Sequence, residues 1–376
     1  MLRTSLLIPL FLGLCYVCAD AQLLSGLEGE ELRLELIKRY KPNFVEVYSQ
    51  AREIMYSEIY NTQDSVEAIY SGHKLYLPPS EERPIQFLAK NASPNGINTE
   101  HIYPRSKGAK EEYGNAFSDM HNLAPARWQV NEARANFPFA DIDDTKTDCW
   151  YARTDVLRDI SSLSDEDIVA YAEVDGLGER SGEFEPREEA KGDIARSVFY
   201  FYTMYRDEAM REDPNFFSSM QKTLCEWHNE DSVDSIEMDR NLMKAMVQDG
   251  KPNPFIMDCG LANRLYCPEF DPVTCKNLST AVQDENLFEG PEIEPAIKIY
   301  PNPNNGIFTL DISAISPGEY RINIYKISGQ LLYSLNEDLD YFNSINMWNV
   351  RSGLHIIHIT NKASGRKYSG LFRVVK

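Results

Sequence analysis

Positive charge is what this chain has least of. Its 376 residues carry 38 Lys and Arg against 58 Asp and Glu, a formal net charge of −20. Such a balance argues against holding nucleic acid on a broad basic surface, though a local basic cleft, or a cation that neutralises phosphate, stays open to it. Long apolar runs are also missing. The stretch from Leu6 to Val17 is shorter than the roughly 20 residues needed to cross a bilayer, and nothing later is long and apolar enough. Cysteine is sparse and badly spaced for metal. Beyond residue 21 stand Cys149, Cys225, Cys259, Cys267 and Cys275, without the C-x-x-C pairs and nearby His of a zinc site. One or two structural disulfides are expected, and an odd number leaves at least one thiol unpaired.

What is present at the N-terminus points to export. Arg3, the apolar run and the small pair Ala19-x-Ala21 make a signal peptide cleaved after Ala21. Cys15 follows Leu14 rather than a small residue, which argues against a lipoprotein anchor. A content of 43% hydrophobic and 11% aromatic residues supplies packed cores, and the length suggests two of them. The domains read as a signal peptide over 1–21, a first domain over 22–288, an acidic linker over 289–296 and a second domain over 297–376.

Residues 30–60 have apolar positions at helical spacing, and 66–77 reads as a hairpin around Ser71-Gly72. Residues 141–185 read as acidic and irregular. A strong helix is expected over 186–207, with Pro186 in its first turn and Glu188 and Glu189 at its positive end. Gly192 inside it suggests close approach to another backbone, while Lys191 and Arg196 read as solvent-exposed helix charges. Composition changes near residue 290. Short β-like runs follow at 307–312, 320–327, 330–335, 345–350, 354–360 and 370–375, with turn residues between them, as in a small antiparallel sandwich. From Ala296 onward there are nine Lys or Arg against five Asp or Glu, so the acidity belongs to the first domain. His355 and His358 read as core or surface residues of a strand.

The chemistry concentrates in INTEHIYPRSKG (97–108) and DMHNLAPARWQVNEARANFPF (119–139). An unperturbed imidazole titrates near 6.5, so His101 can act as general base toward water. Glu100 and the amide oxygen of Asn131 are hard ligands suited to Mg2+, with Ca2+ or Mn2+ as alternatives. Two protein ligands leave positions open for phosphate and water. Glu100 and His101 would face opposite sides of an ideal strand, so both reach one substrate only if the backbone bends, as Asn95-Gly96 and Pro104 permit. Asn131 and Arg134 share one face of a helix. Arg134, Arg105, Lys107 and Arg127 offer positive charge for phosphate. Asp119, His121 and Asn122 either brace the loop around the site or, for the latter two, bind the cation directly. The parts are those of a metal-dependent nuclease.

On these motifs, together with FEPREEAKGDIARSVFYFYTMY and WHNEDSVDSIEMDRNLMKAMVQDGKPNPFI, the chain resembles the endonuclease I family of secreted bacterial nucleases from about residue 30 to 270. The resemblance implies an α+β fold, mainly helical around a ββα-metal (His-Me finger) core. It also implies His101 as general base, Glu100 and Asn131 as ligands of one divalent cation, little sequence preference on DNA or RNA, and 5′-phosphate products. The family's separate phosphate-binding arginine has no counterpart in the acidic stretch 109–118, and Arg105 or Arg134 is expected to substitute. The tail, through IYPNPNNGIF, INIYKISGQLL, SGLHIIHI and FRVVK, resembles the C-terminal sorting domain of the type IX secretion system. That implies an immunoglobulin-like sandwich, handling by that secretion machinery, and release or attachment at the outer surface. Two other functions compete: a nuclease-fold protein with weak or no turnover that binds nucleic acid or adheres at the surface, and a phosphodiesterase acting on small nucleotides.

Overall fold

The computed structural model describes residues 23–270 and 297–374, apart from 91, 113, 303, 327–330, 348–349 and 351–352. The expected signal peptide, the 289–296 linker and Cys275 lie outside the described residues.

Two separate hydrophobic cores form, one from residues before 270 and one from residues after 296. The first is built around helices. Helix α1 (Gly29–Tyr40) buries Leu32, Leu36 and Tyr40, one residue per turn along a single face. The helical spacing expected to run on to residue 60 is interrupted after Tyr40, and α2 (Tyr48–Ile54) passes into a single π-type turn over Met55–Ile59. The expected hairpin is present. Strands β1 (Asn61–Thr62), β2 (Ser65–Glu67) and β3 (Lys74–Tyr76) form a small antiparallel sheet in which Val66 pairs with Leu75. The short helices α3 (Pro84–Leu88) and α4 (Asn115–Ser118) flank a two-stranded antiparallel ribbon, β4 (Ile97–His101) with β5 (Leu123–Arg127), and α5 (Trp128–Arg134) follows β5 without a break.

The segment read as irregular contains a four-stranded antiparallel sheet in the order β7-β6-β8-β9: β6 (Cys149–Ala152), β7 (Asp155–Leu157), β8 (Ala172–Asp175) and β9 (Glu183–Glu185). Strands of three or four residues give too few alternations to show as a period, and acidic side chains interrupt them. Helix α6 (Asp165–Ile168) interrupts this sheet in sequence, its start fixed by a capping box between Ser164 and Asp167.

The strong helix is α7 (Lys191–Met204), entered through a 3-10 turn at Glu188–Ala190. It is buried on nearly every side, packed against α1 and α9 (Phe216–Glu230), with α8 (Arg206–Glu212) between α7 and α9 in sequence. Three details differ from expectation. Lys191 is buried and ion-paired to Glu185, Asp141 and Glu188. Arg196 is buried against Glu237 of α10 (Ser235–Met246) and Asp193, because a charge inside a core needs partners. Gly192 makes room for a carboxylate, not a backbone: its N–H donates to Asp231 Oδ2 at 3.1 Å, and a Cβ would collide with that side chain.

Cys225 and Cys267 form a disulfide, Cys259 is disulfide-bonded as well, and Cys149 is a buried thiol.

The second core lies between two antiparallel sheets. One has the order β10 (Lys298–Tyr300), β11 (Ile307–Asp311), β14 (Phe342–Asn346). The other runs β13 (Leu331–Leu339), β12 (Gly318–Lys326), β15 (Gly353–Asn361), β16 (Lys367–Val374). Alternating residues such as Ile322, Ile324, Ile357 and Ile359 fill the space between them. His355 is buried, and His358 Nδ1 pairs with Ser369 Oγ at 2.8 Å, so both belong to the sandwich.

Candidate functional site

The site grows from the ribbon β4–β5 and the helix that follows it. Glu100 pairs across the ribbon with Ala124, and His101 with Leu123. Strand alternation then sorts the side chains of β4 into two sets. Asn98 and Glu100 face α5: Asn131 Nδ2 donates to Asn98 Oδ1 at 2.8 Å, and Arg134 Nε lies 3.5 Å from Glu100 Oε1. Thr99 and His101 face the opposite way, toward α2 and α4. Thr99 Oγ1 meets Arg52 Nε at 2.9 Å and the Tyr56 hydroxyl at 2.6 Å, while the His101 ring packs on Tyr48 and Phe117. The bend expected within the motif comes just after it, at residues 102–103. Glu100 and His101 therefore lie on opposite faces of β4, each with its own set of partners.

His101 is almost fully buried. Its Nε2 lies 2.8 Å from the carbonyl oxygen of Phe117. A carbonyl only accepts, so Nε2 carries the proton and Nδ1 keeps its lone pair. Burial pushes the imidazole down to about 4. The Phe117 carbonyl raises it, and Arg105, Arg52 and Arg134 lower it further. The ring is thus neutral at ordinary pH. Tyr70, from the turn after β2, donates its hydroxyl to Glu100 Oε1 at 2.7 Å. Burial raises the Glu100 carboxyl, and the Arg134 charge and the Tyr70 hydrogen bond pull it back.

Asn131 commits its amide nitrogen to Asn98 and, at 3.4 Å, to the Thr99 carbonyl. The side-chain oxygen is left as an acceptor beside the backbone that leads into Glu100. A carboxylate and an amide oxygen on one side of the ribbon are hard donors that suit Mg2+ or Ca2+. Among the described residues no group of three or more His, Cys, Asp or Glu could hold a metal ion, so a cation here would draw most of its shell from water and substrate.

The cations expected at phosphate separate in the structure. Arg134 is 0% exposed; its Nη2 donates to the Ile102 carbonyl at 2.8 Å and its guanidinium lies over Phe139. It stands behind Glu100, away from solvent. Arg127 is 1% exposed and staples Pro94, Asn95, Gln129, Thr154 and Asp155 together. Lys107 is ion-paired to Asp213 at 2.7 Å. Sequence spacing could not reveal these three environments, because each partner comes from a distant segment or from the turn of the chain. Only Arg105 of the four is exposed, with its guanidinium over Phe117.

Asp119, His121 and Asn122 lie beneath the site. Asp119 accepts from the hydroxyls of Tyr200 and Tyr205, from Gln248 Nε2 and from the His121 backbone N–H. Asn122 exchanges two hydrogen bonds with the Tyr103 backbone, fixing the chain just beyond His101. His121 Nε2 lies 2.8 Å from the Lys251 carbonyl, and burial pushes its imidazole down to about 4. Residues that the sequence did not single out are Tyr70, which holds Glu100, and Arg52, Tyr48 and Phe117 around His101. Tyr48 and Arg52 lie some fifty residues upstream of the motif and carry no local signature.

Known proteins with similar sequences are nucleases. The model of the family described as Endonuclease I matches residues 28–259, and that of the Secretion system C-terminal sorting domain matches residues 298–369. An extracellular ribonuclease of Bacillus subtilis is 26% identical over 54% of this chain and 65% of its own length. An extracellular ribonuclease of Bacillus amyloliquefaciens is 25% identical over 56% of this chain and 68% of its own. An extracellular deoxyribonuclease of Aeromonas hydrophila is 26% identical over 43% of this chain and 66% of its own. The chain thus spans about two thirds of the length of these relatives.

Proposed function

This chain belongs to the Endonuclease I family, and on that footing we propose that it is a secreted or surface-attached, metal-dependent endonuclease that cuts DNA or RNA with little sequence preference. The observation that carries the reading is the state of His101. Its Nε2–H is spent on the Phe117 carbonyl, and a neutral ring keeps the Nδ1 lone pair one residue from Glu100. Such an imidazole can take a proton from water as the water attacks phosphorus. In this reading β4, β5 and α5 are the ββα-metal core, and Glu100 and Asn131 are the cation ligands. Bound there, Mg2+ (or Ca2+ or Mn2+) supplies Lewis-acid stabilisation of charge on the phosphate and the departing oxygen. Arg134 and Tyr70 hold the Glu100 carboxylate in place, and Asn122 holds the turn beyond His101. Cleavage leaves 5′ phosphates. The domain over 22–288 does the chemistry, and the tail over 297–376, an immunoglobulin-like sandwich, directs export through the type IX machinery after the signal peptide has been used.

The test compares duplex DNA, single-stranded DNA and RNA as substrates, with and without chelator. Cleavage should stop in excess chelator and return with Mg2+; activity that persists there removes the cation from the mechanism. His101→Ala should lower kcat by about 10²–10⁴-fold while a labelled oligonucleotide still binds. Equal loss of both would overturn the general-base role.

A further inference from the structure

Two guanidiniums lie over the rings that touch His101, and neither is within ion-pair distance of a carboxylate among the described residues. Arg52, on α2, sits over the Tyr48 ring with its carbon 5.2 Å from the centroid; Arg105 sits over Phe117 at 4.7 Å. Those rings pack against the imidazole and against each other: Tyr48 stacks on His101 at 5.6 Å, Phe117 lies 5.1 Å from it, and the two rings are 4.6 Å apart. Arg52 is further fixed by its Nε bond to Thr99 Oγ1, on the same face of β4 as His101. In a protein of charge −20, most cations near the site are already neutralised or buried, as Lys107, Arg127 and Arg134 are. Two uncompensated guanidiniums, each braced on an aromatic face that packs against His101, gain most from a dianionic or polyanionic partner.

Resting on the nuclease reading above, we propose that Arg52 and Arg105 form a paired clamp that binds successive backbone phosphates beside His101. Arg52, from outside the ribbon and its helix, is a phosphate-positioning residue of this site. The clamp favours a polynucleotide over a small diester, since a chain presents successive phosphates to both arms. Arg105 continues the exposed end of the ribbon, whereas Arg52 reaches in from α2, so substrate lies across the two elements.

The experiment measures binding of a labelled oligonucleotide over a range of salt in the His101→Ala background, and KM and kcat in the otherwise unaltered full chain. Removing one guanidinium from a phosphate should reduce the slope of log K against log salt by about 0.9 on duplex DNA or 0.7 on a single strand. Arg52→Ala and Arg105→Ala should each show that reduction, and the double variant twice as much, with KM raised roughly tenfold or more per arginine and the melting temperature little changed. Arg52→Lys should keep the salt slope while recovering only part of the affinity, since it lacks the planar fork. The exposed Lys110→Ala, whose lysine is paired to Glu212, serves as the control. If Arg52→Ala lowers the melting temperature but leaves the slope alone, Arg52 serves only Thr99 and the clamp is overturned. If the wild type cuts nucleic acid and the double variant matches it in KM and slope, the clamp alone falls. A wild type that neither binds nor cuts any of the substrates removes the nuclease reading, and the clamp with it.

Discussion

Glu100 shows how a few neighbouring groups set the state of a site. Its carboxyl is buried, which favours protonation, and the Tyr70 hydroxyl at 2.7 Å is one of the groups that favour the anion. Burial and the neighbouring carboxylate push the Tyr70 phenol well above its ordinary value, so it stays a donor. Tyr70→Phe keeps the ring volume and deletes only that donor. The concentration of Mg2+ giving half-maximal cleavage should rise roughly 10–100-fold, the usual effect of losing a group that orients a ligand. A metal titration of the variant checks this; an unchanged requirement would mean that Arg134 alone sets the carboxylate. Arg134 teaches the same lesson in reverse. Three residues after Asn131 it does share the helix face that meets β4, yet that face is buried, and its charge is spent on Glu100 and the Ile102 carbonyl.

Elements act here through what clamps them together. Helix α9 is tied to the segment after α12 (Leu261–Leu265) by the Cys225–Cys267 disulfide, which closes a span of 42 residues, and by Gln221 Nε2 donating to the Tyr266 carbonyl. Cross-linking a loop of that size limits the unfolded chain. The double variant Cys225→Ala, Cys267→Ala should lose about 2–5 kcal/mol of stability, read as a shift of the urea midpoint with little change in kcat, since neither sulfur touches the site. The same scale explains why the sheet β6–β9 escaped the sequence. Its central pair, β6 with β8, joins residues 21 to 25 apart, such as Cys149 with Val174, and local pattern does not report such pairing. By contrast α1 and the strands of the tail were legible because each keeps its own periodicity, once per turn or every second residue.

At the scale of the whole molecule, acidity becomes a pH dependence. Burial pushes Glu173 up to about 7, beside Glu185, which is also raised, and pushes Asp231 up to about 6. A carboxyl raised in the folded state takes up a proton on folding, so its contribution is complete below its unfolded value and is lost as pH rises through the folded one. These carboxyls, and relief of repulsion in a chain of charge −20, therefore favour the fold as pH falls from about 7 toward 4.5, while the imidazoles of His101, His121 and His228, pushed down to about 4 by burial, oppose them over the same window. Below that range the lowered carboxyls, such as Glu30 and Asp213 in ion pairs, act in the opposite sense. Melting curves in chelator between pH 4.5 and 8, for the wild type and for Glu173→Gln, isolate the carboxyl's share: the wild type should lose stability relative to the variant as pH rises from 5 to 7. A difference between the two curves that stays constant with pH through that window would contradict it.

The sequence alone determined that there are two cores, that the second is all strand, and where the candidate chemistry is to be sought: Glu100 stands next to His101 and Asn131 three residues before Arg134, and each of those pairs is local information. Tertiary structure decided the surroundings of each cation. Charge is read from the sequence, but whether a guanidinium meets solvent, a carboxylate or a carbonyl depends on segments brought together from far along the chain. That is why Arg127 became a staple and Lys107 a partner of Asp213, and why Arg52, from a helix without any motif, came to stand beside the histidine.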